Sequence, residues 1–165
     1  MRKRVVGQHN ASSVERMSTP ALRIAEIAAV EVSSETQEAP IEDVFLDNGR
    51  NGWRAAEAGE QRIRIVFDKP QQVRKLRLKF VEIERARTHE FSLNWFPEPD
   101  APGLPIVRQQ WTFSPSGGTT EMEEYRVHLD HVCGLELIIK PDLGDPTAVA
   151  SLAEWQVYGA SPDDL

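Results

Sequence analysis

The stretch Ser151-Leu-Ala-Glu-Trp-Gln-Val-Tyr-Gly159, near the carboxyl end of the chain, has the pattern of a β-strand that closes a sheet. Trp155 and Val157 alternate with less apolar residues, so their side chains fall on one face of an extended segment. Small residues lead into Glu154, and a glycine ends the run. The pattern predicts a half-buried strand over these residues.

The same period of two recurs through most of the chain, and turns rich in proline and glycine separate the segments. We expect strands at residues 24–33, 62–67, 73–84, 90–96, 107–113, 125–129, 135–139 and 151–159. A helical turn is expected at residues 41–45, with Val44 and Phe45 packed inward. Apolar residues change parity at residues 80–81, which predicts a β-bulge there. Many short strands without helical periodicity favour an antiparallel β-sandwich.

Two further segments accompany the closing stretch, in a fixed order. Asp47-Asn-Gly-Arg-Asn-Gly-Trp53 resembles the D-G-x-x-x-T-x-W loop of discoidin-like domains, a family also called F5/8 type C or galactose-binding-like. Gln61-Arg-Ile-Arg-Ile-Val-Phe-Asp68 is similar to that family's first core strand after the loop, and the closing stretch is similar to its last strand. The resemblance covers about residues 24–159. It implies an all-β, antiparallel jelly-roll sandwich of about eight strands, and binding rather than catalysis.

Length and composition suit one soluble domain. A chain of 165 residues is long enough to bury a full core. We expect a mobile arm at residues 1–21, the sandwich at 22–160 and a short tail at 161–165. No apolar signal region follows the basic start, and Cys133 is the single cysteine, so it cannot form the disulfide that extracellular members of the family usually carry. We therefore expect a cytoplasmic location, in a bacterium, and no association with a membrane.

Charge is unevenly distributed along the chain. The net charge is −7, yet residues 62–87 hold nine basic and three acidic residues. Such a run is usually a solvated face whose cations pair with neighbouring acidic strands, such as residues 121–124. The alternative is a face that binds a polyanion. The acidic overall balance and the scarcity of aromatic residues among the cations argue against nucleic acid as a partner.

The resemblance also implies a calcium ion held between Asp47 and Glu154, with backbone carbonyls completing the six to eight oxygens that Ca²⁺ requires. The loop departs from the family pattern, because Arg50 stands where Asp or Asn is customary and the spacing to Trp53 is one residue short. The alternative is a structural Asn-Gly turn in which Asp47 accepts backbone hydrogen bonds.

Carbohydrate binding, through loops at one end of the sandwich, is the leading functional hypothesis. Trp95, Trp111 and Trp155 have the parity of core residues, and the resemblance implies that Trp53 packs under the loop. Phe96, of opposite parity to Trp95, is therefore the expected exposed platform beside the proline-rich loop. Arginine, histidine and asparagine would hold sugar hydroxyls. The expected polar ligand-binding residues are Arg54, Arg85, Arg87, His89 and Asn94, in loops around residues 48–56, 85–89 and 96–105.

Two alternatives use the basic hairpin at residues 62–79. An adaptor domain would dock an acidic protein partner there, and a homo-oligomer would pair that face with its own acidic strands. A metal site at His128, His131 and Cys133 is less favoured, because alternation sends His128 outward. Hydrolase, metalloprotease, phosphate-loop and dinucleotide motifs are absent from the sequence, so we expect no enzymatic activity.

Overall fold

Eight β-strands make up most of the protein. The structure, a computed structural model, describes residues 20–46 and 52–161. The helical elements are α1 (Ile24–Ile27) and a 3-10 helix (Ile41–Phe45); the strands are β1 (Ala28–Val32), β2 (Trp53–Ala58), β3 (Gln61–Val81), β4 (Arg87–Phe96), β5 (Leu104–Phe113), β6 (Thr120–Lys140), β7 (Val149–Leu152) and β8 (Glu154–Tyr158). All pairings between these strands are antiparallel, which confirms the expected jelly-roll sandwich.

The two longest strands, β3 and β6, serve both layers of the sandwich. The first half of β3 pairs with β1 and with the second half of β6, and β4 and β5 complete a first sheet in the order β1–β3–β6–β4–β5. Beyond the irregular register at residues 66–75, the second half of β3 pairs with the first half of β6 and with β8; this continuation of the same six-stranded ladder is called the second sheet. β2 and β7 form a separate two-stranded ladder.

The core-facing parity of β3 changes once along its length. Ile63 and Ile65 face the core in the first sheet, whereas Leu76 and Leu78 face it in the second. The register of β3 against β6 is irregular between residues 66 and 75 and continuous from there to residue 81. The expected bulge at residues 80–81 is therefore wrong, because the chain makes its parity change earlier, and Val81 is an exposed residue.

Several element boundaries differ from the expectation. Residues 24–27 form α1 rather than the start of a strand, and β6 is continuous where two strands were expected. The helical turn at residues 41–45 is confirmed, with Val44 fully buried and Phe45 packed against the core. Of the arm expected at residues 1–21 and the tail expected at residues 161–165, residues 1–19 and 162–165 lie outside the described residues. In the part of the chain that is described, no helix has the length and hydropathy to cross a membrane.

The closing stretch connects the two-stranded ladder to the larger sheet, because β7 pairs with β2 and β8 pairs with β3. It divides into β7 and β8 at Ala153, whose N–H donates to the Lys79 carbonyl over 2.8 Å. Trp155 in β8 is completely buried opposite Leu78, and its ring lies 6.1 Å from that of Phe45. Trp53 is also buried, and its indole N–H donates to the Ser34 carbonyl over 3.0 Å. Trp155 confirms the core role that its parity predicts, and Trp53 confirms the core position that the resemblance implies.

Candidate functional site

The predicted ligand-binding residues lie at two distant places in the fold. Arg87 is the first residue of β4 and Phe96 is the last. A strand of this length separates its ends by about 30 Å. The loops around residues 85–89 and 96–105 therefore lie at opposite ends of one strand, and the structure divides the predicted set instead of bringing it together.

One end carries Arg54, Arg85 and Arg87. The Arg87 guanidinium is largely buried, with Nε 3.0 Å from Oε1 of Glu82 and Nη1 donating to the Val149 carbonyl over 3.1 Å. Burial lowers the pKa of Arg87, and the nearby charges of Arg54 and Arg85 lower it further, against the opposing effect of Glu82. Arg87 thus connects Glu82, in the loop after β3, to the start of β7, while Arg54 and Arg85 remain exposed beside it.

His89 lies in the protein interior. Its side chain alternates in phase with Phe91 on β4, and the residue is only 3% exposed. The ring meets Phe80 and Phe113 edge-on, with centroids 4.6 Å and 4.9 Å away, and Nε2 lies 2.6 Å from Oε1 of Glu121. His89 is therefore a core residue that does not reach a surface ligand, contrary to the expectation.

The contact with Glu121 extends into a polar cluster between β5 and the first half of β6. Glu123 accepts hydrogen bonds from Nε2 of Gln109 over 3.0 Å and from the Tyr125 hydroxyl over 3.4 Å. Burial, followed by the contact with Glu121, raises the pKa of Glu123. Burial also raises the pKa of Tyr125. These side chains link the edge strand of the first sheet to that of the second.

Glu123 should make stability fall as pH rises. Because its pKa is raised in the folded state, its contribution to the free energy of unfolding is present below the ordinary Glu pKa, about 4.3, and is lost as pH rises through the raised value. Urea unfolding from pH 4 to pH 8 should show a smaller loss in Glu123→Gln than in the wild type. Glu124→Gln, at the exposed neighbouring position, should follow the wild type. Parallel curves for all three proteins would contradict this prediction.

The other end carries an open groove of about 490 Å³ on the outer face of the first sheet. Consecutive cross-strand partners form a polar row beneath it: Glu31 on β1, Arg64 on β3, Glu136 on β6 and Asn94 on β4. The loop at residues 97–103 forms one wall. The lining side chains that could contact a ligand are Arg62, Arg64, Asn94, Phe96, Asp100 and Glu136.

Phe96 forms the floor of this groove rather than an exposed platform. Its parity places it on the outer face as predicted, but the residue is only 6% exposed. The Arg64 guanidinium carbon lies 4.1 Å from the ring centroid, and Gly134 is the directly paired residue on β6. A Cβ at Gly103 would lie 3.2 Å from the ring. Gly103 therefore leaves room for the ring and Arg64 covers it, so the expected stacking surface for a sugar is absent at Phe96.

Some polar side chains of the groove form ion pairs with other protein groups, and others have no such partner. Nη1 of Arg62 lies 3.5 Å from Oε2 of Glu136, and this carboxylate is largely buried. Within residues 20–46 and 52–161, the Arg64 guanidinium has no ion pair or hydrogen bond, and neither does the Asn94 amide. The groove thus presents free donors beside the exposed carboxylate of Asp100. Such a mixture can bind hydroxyl and carboxylate groups.

Sequence reasoning missed the contribution of Arg62, Arg64, Asp100 and Glu136. The outward direction of the two arginines was readable, since they alternate with Ile63 and Ile65. Their position beside Asn94 depends on the order β3–β6–β4, which brings together residues distant in sequence.

The predicted calcium ligands are only partly described. Asp47 lies outside the described residues. Glu154 is half-buried and lies directly opposite Lys79, whose charge would repel a cation. Among the residues that are described, His, Cys, Asp and Glu form no cluster of three or more that could hold a metal ion. Calcium binding stays a prediction.

The basic hairpin does not form a single face. Arg62 and Arg64 lie on the outer face of the first sheet, whereas Arg77 and Lys79 lie on that of the second. The cations face carboxylates on neighbouring strands, as expected. The directly paired residues are Arg64 with Glu136, Arg77 with Glu124, and Lys79 with Glu154. Docking of an acidic protein partner and self-association through these cations stay predictions.

Comparison with known proteins supports the fold. No protein-family model and no curated protein matches this sequence. The CBM32 of AlyQ in complex with 4,5-unsaturated mannuronic acid is similar at 18% identity and a TM-score of 0.59, covering 81% of this chain and 96% of that one.

Two further solved structures show the same likeness. The family 32 CBM from C. perfringens NanJ, in complex with galactose, has 14% identity and a TM-score of 0.56, covering 85% of this chain and 98% of that one. The Ruminococcus gnavus GH29 fucosidase in complex with fucose has 16% identity and a TM-score of 0.62. That match covers 87% of this chain but only 27% of the enzyme. The described chain therefore shares the antiparallel jelly-roll sandwich fold of these solved structures.

Proposed function

We propose that this protein is a non-catalytic carbohydrate-binding module that holds a saccharide in the groove on the outer face of the first sheet. The observation that carries the proposal is the pair of free donors, Arg64 and Asn94, facing one another across Glu136 in an open cavity of about 490 Å³. Two solved modules with this fold are complexes with a mannuronic acid derivative and with galactose, which supports the same ligand class here.

The position of these donors suits recognition of hydroxyl groups. Arg64 and Asn94 stand on paired strands in the middle of a sheet, so little further ordering of the backbone is needed when a ligand binds. The groove volume lies within the range of about 300–1,000 Å³ that is usual for small-molecule sites. Because Phe96 is covered, binding energy must come from hydrogen bonds and charge rather than from stacking. We expect weak affinity for each site.

Removing the Asn94 amide should weaken saccharide binding. A glycan array identifies a bound saccharide, and titration calorimetry then gives its dissociation constant. Asn94→Ala should raise that constant about three- to tenfold, since one neutral hydrogen bond contributes about 0.5–1.5 kcal/mol. Ser92→Ala is the matched control, because it lies two residues earlier on the same face of β4 and outside the groove. A blank array, or equal affinity for the two variants, would count against the proposal.

A further inference from the structure

The Arg64 guanidinium is held in place without a counter-ion. Its carbon lies over the Phe96 ring, 4.1 Å from the centroid, in a cation–π contact that holds the guanidinium beside the groove. Phe96 is itself closely approached by Gly103, where a Cβ would lie 3.2 Å from the ring. The donor fork of Arg64 is therefore positioned by packing before any ligand arrives.

The neighbouring carboxylates do not neutralise this fork. Glu31 and Glu136 are the cross-strand partners of Arg64, yet neither forms an ion pair with it. Glu136 pairs with Arg62 instead, and Glu31 is exposed to solvent. A half-buried arginine without a protein anion gains most from a ligand that brings one, because charge-assisted hydrogen bonds are about twice as strong as neutral ones.

From this arrangement we infer that the groove takes a carboxylate-bearing saccharide, a hexuronate, whose carboxylate binds the Arg64 guanidinium. The inference rests on the proposed function and names its ligand class. The planar fork of arginine matches a planar carboxylate with two parallel hydrogen bonds. Asn94 and Asp100 lie within the same groove and bind the hydroxyl groups of the ring. With its only aromatic floor covered, the groove has nothing on which a neutral pyranose would stack.

The test is calorimetric titration of the purified protein with oligogalacturonate, with its methyl-esterified counterpart and with a sulfated neutral oligosaccharide. The esterified chain keeps the ring and the hydroxyl groups but loses the charge. We expect the acid form to bind at least about tenfold more tightly than the ester or the sulfated chain. Arg64→Gln should abolish that preference, and Arg64→Lys, which keeps the charge without the fork, should restore it only in part.

Arg126→Gln is the matched control, because it removes one positive charge from the outer face of the second sheet, away from the groove. Thermal melts of each variant separate lost binding from lost folding. Equal affinity for acid and ester would overturn the inference while leaving saccharide binding intact. Preference for the sulfated chain would also overturn it. If all three ligands and a neutral glycan array fail to bind, the proposed function fails as well.

Discussion

Gly52→Ala should lower the free energy of unfolding by about 2–5 kcal/mol. Gly52 has a φ of +62°, a conformation that costs a residue with a side chain about 1–2 kcal/mol. Its Cβ would also collide with the Leu152 carbonyl oxygen and lie 2.9 Å from Cα of Ala153. Forcing atoms into a packed site adds about 1–3 kcal/mol. Urea unfolding, followed by tryptophan fluorescence, measures the change.

Gly59→Ala is the matched control for this collision. Gly59 also has a positive φ, +88°, but a Cβ there would meet no atom within 4 Å. Both substitutions therefore carry backbone strain, and the difference between them isolates the contact with the junction of β7 and β8. Equal losses of stability in the two variants would contradict the close approach.

Phe96→Ala should lower the free energy of unfolding by about 3 kcal/mol and also weaken saccharide binding. The sequence alone suggests an exposed platform, whose loss would leave stability unchanged. In the structure the ring is buried between Gly103, Gly134 and the Arg64 guanidinium, so its removal leaves a cavity. Arg64 would also lose the surface that orients its donors. Thermal and urea unfolding, together with calorimetric titration, check both effects.

Phe96→Leu separates the two consequences. Leucine keeps most of the apolar volume and should cost less stability than alanine, but it offers no aromatic face to the guanidinium. We expect binding to fall in both variants and stability to fall mainly in Phe96→Ala. If Phe96→Ala unfolds like the wild type, the ring is exposed and the described covering by Arg64 is wrong.

Local alternation predicted most of the fold because burial in a sandwich follows a period of two. Trp155 and Val157 face the core as expected, and so do Ile63 and Ile65. The change of core-facing parity in β3 was predicted at the wrong residues. Val81 is apolar but exposed, so counting it as a core residue placed the change too late in the strand. Residues 24–27 became helical despite their apolar character, which alone does not distinguish a short helix from a strand.

The site was harder to predict because it depends on which strands become neighbours. The outward parity of Arg64 and Asn94 was available from the sequence, but their proximity required β6 to lie between β3 and β4. Two errors were avoidable. His89 shares the parity of Phe91 and so belongs to the core, and loops that flank one strand cannot lie at the same end. The covering of Phe96 by Arg64 is a tertiary contact without a sequence signal.

The most direct test of the central claim is a map of amide and side-chain chemical shifts during titration with a saccharide that the protein binds. The groove account predicts shifts at the Asn94 side-chain amide, the Arg64 guanidinium and the loop at residues 97–103. Shifts confined to the opposite end, around Arg54 and Arg85, would contradict it.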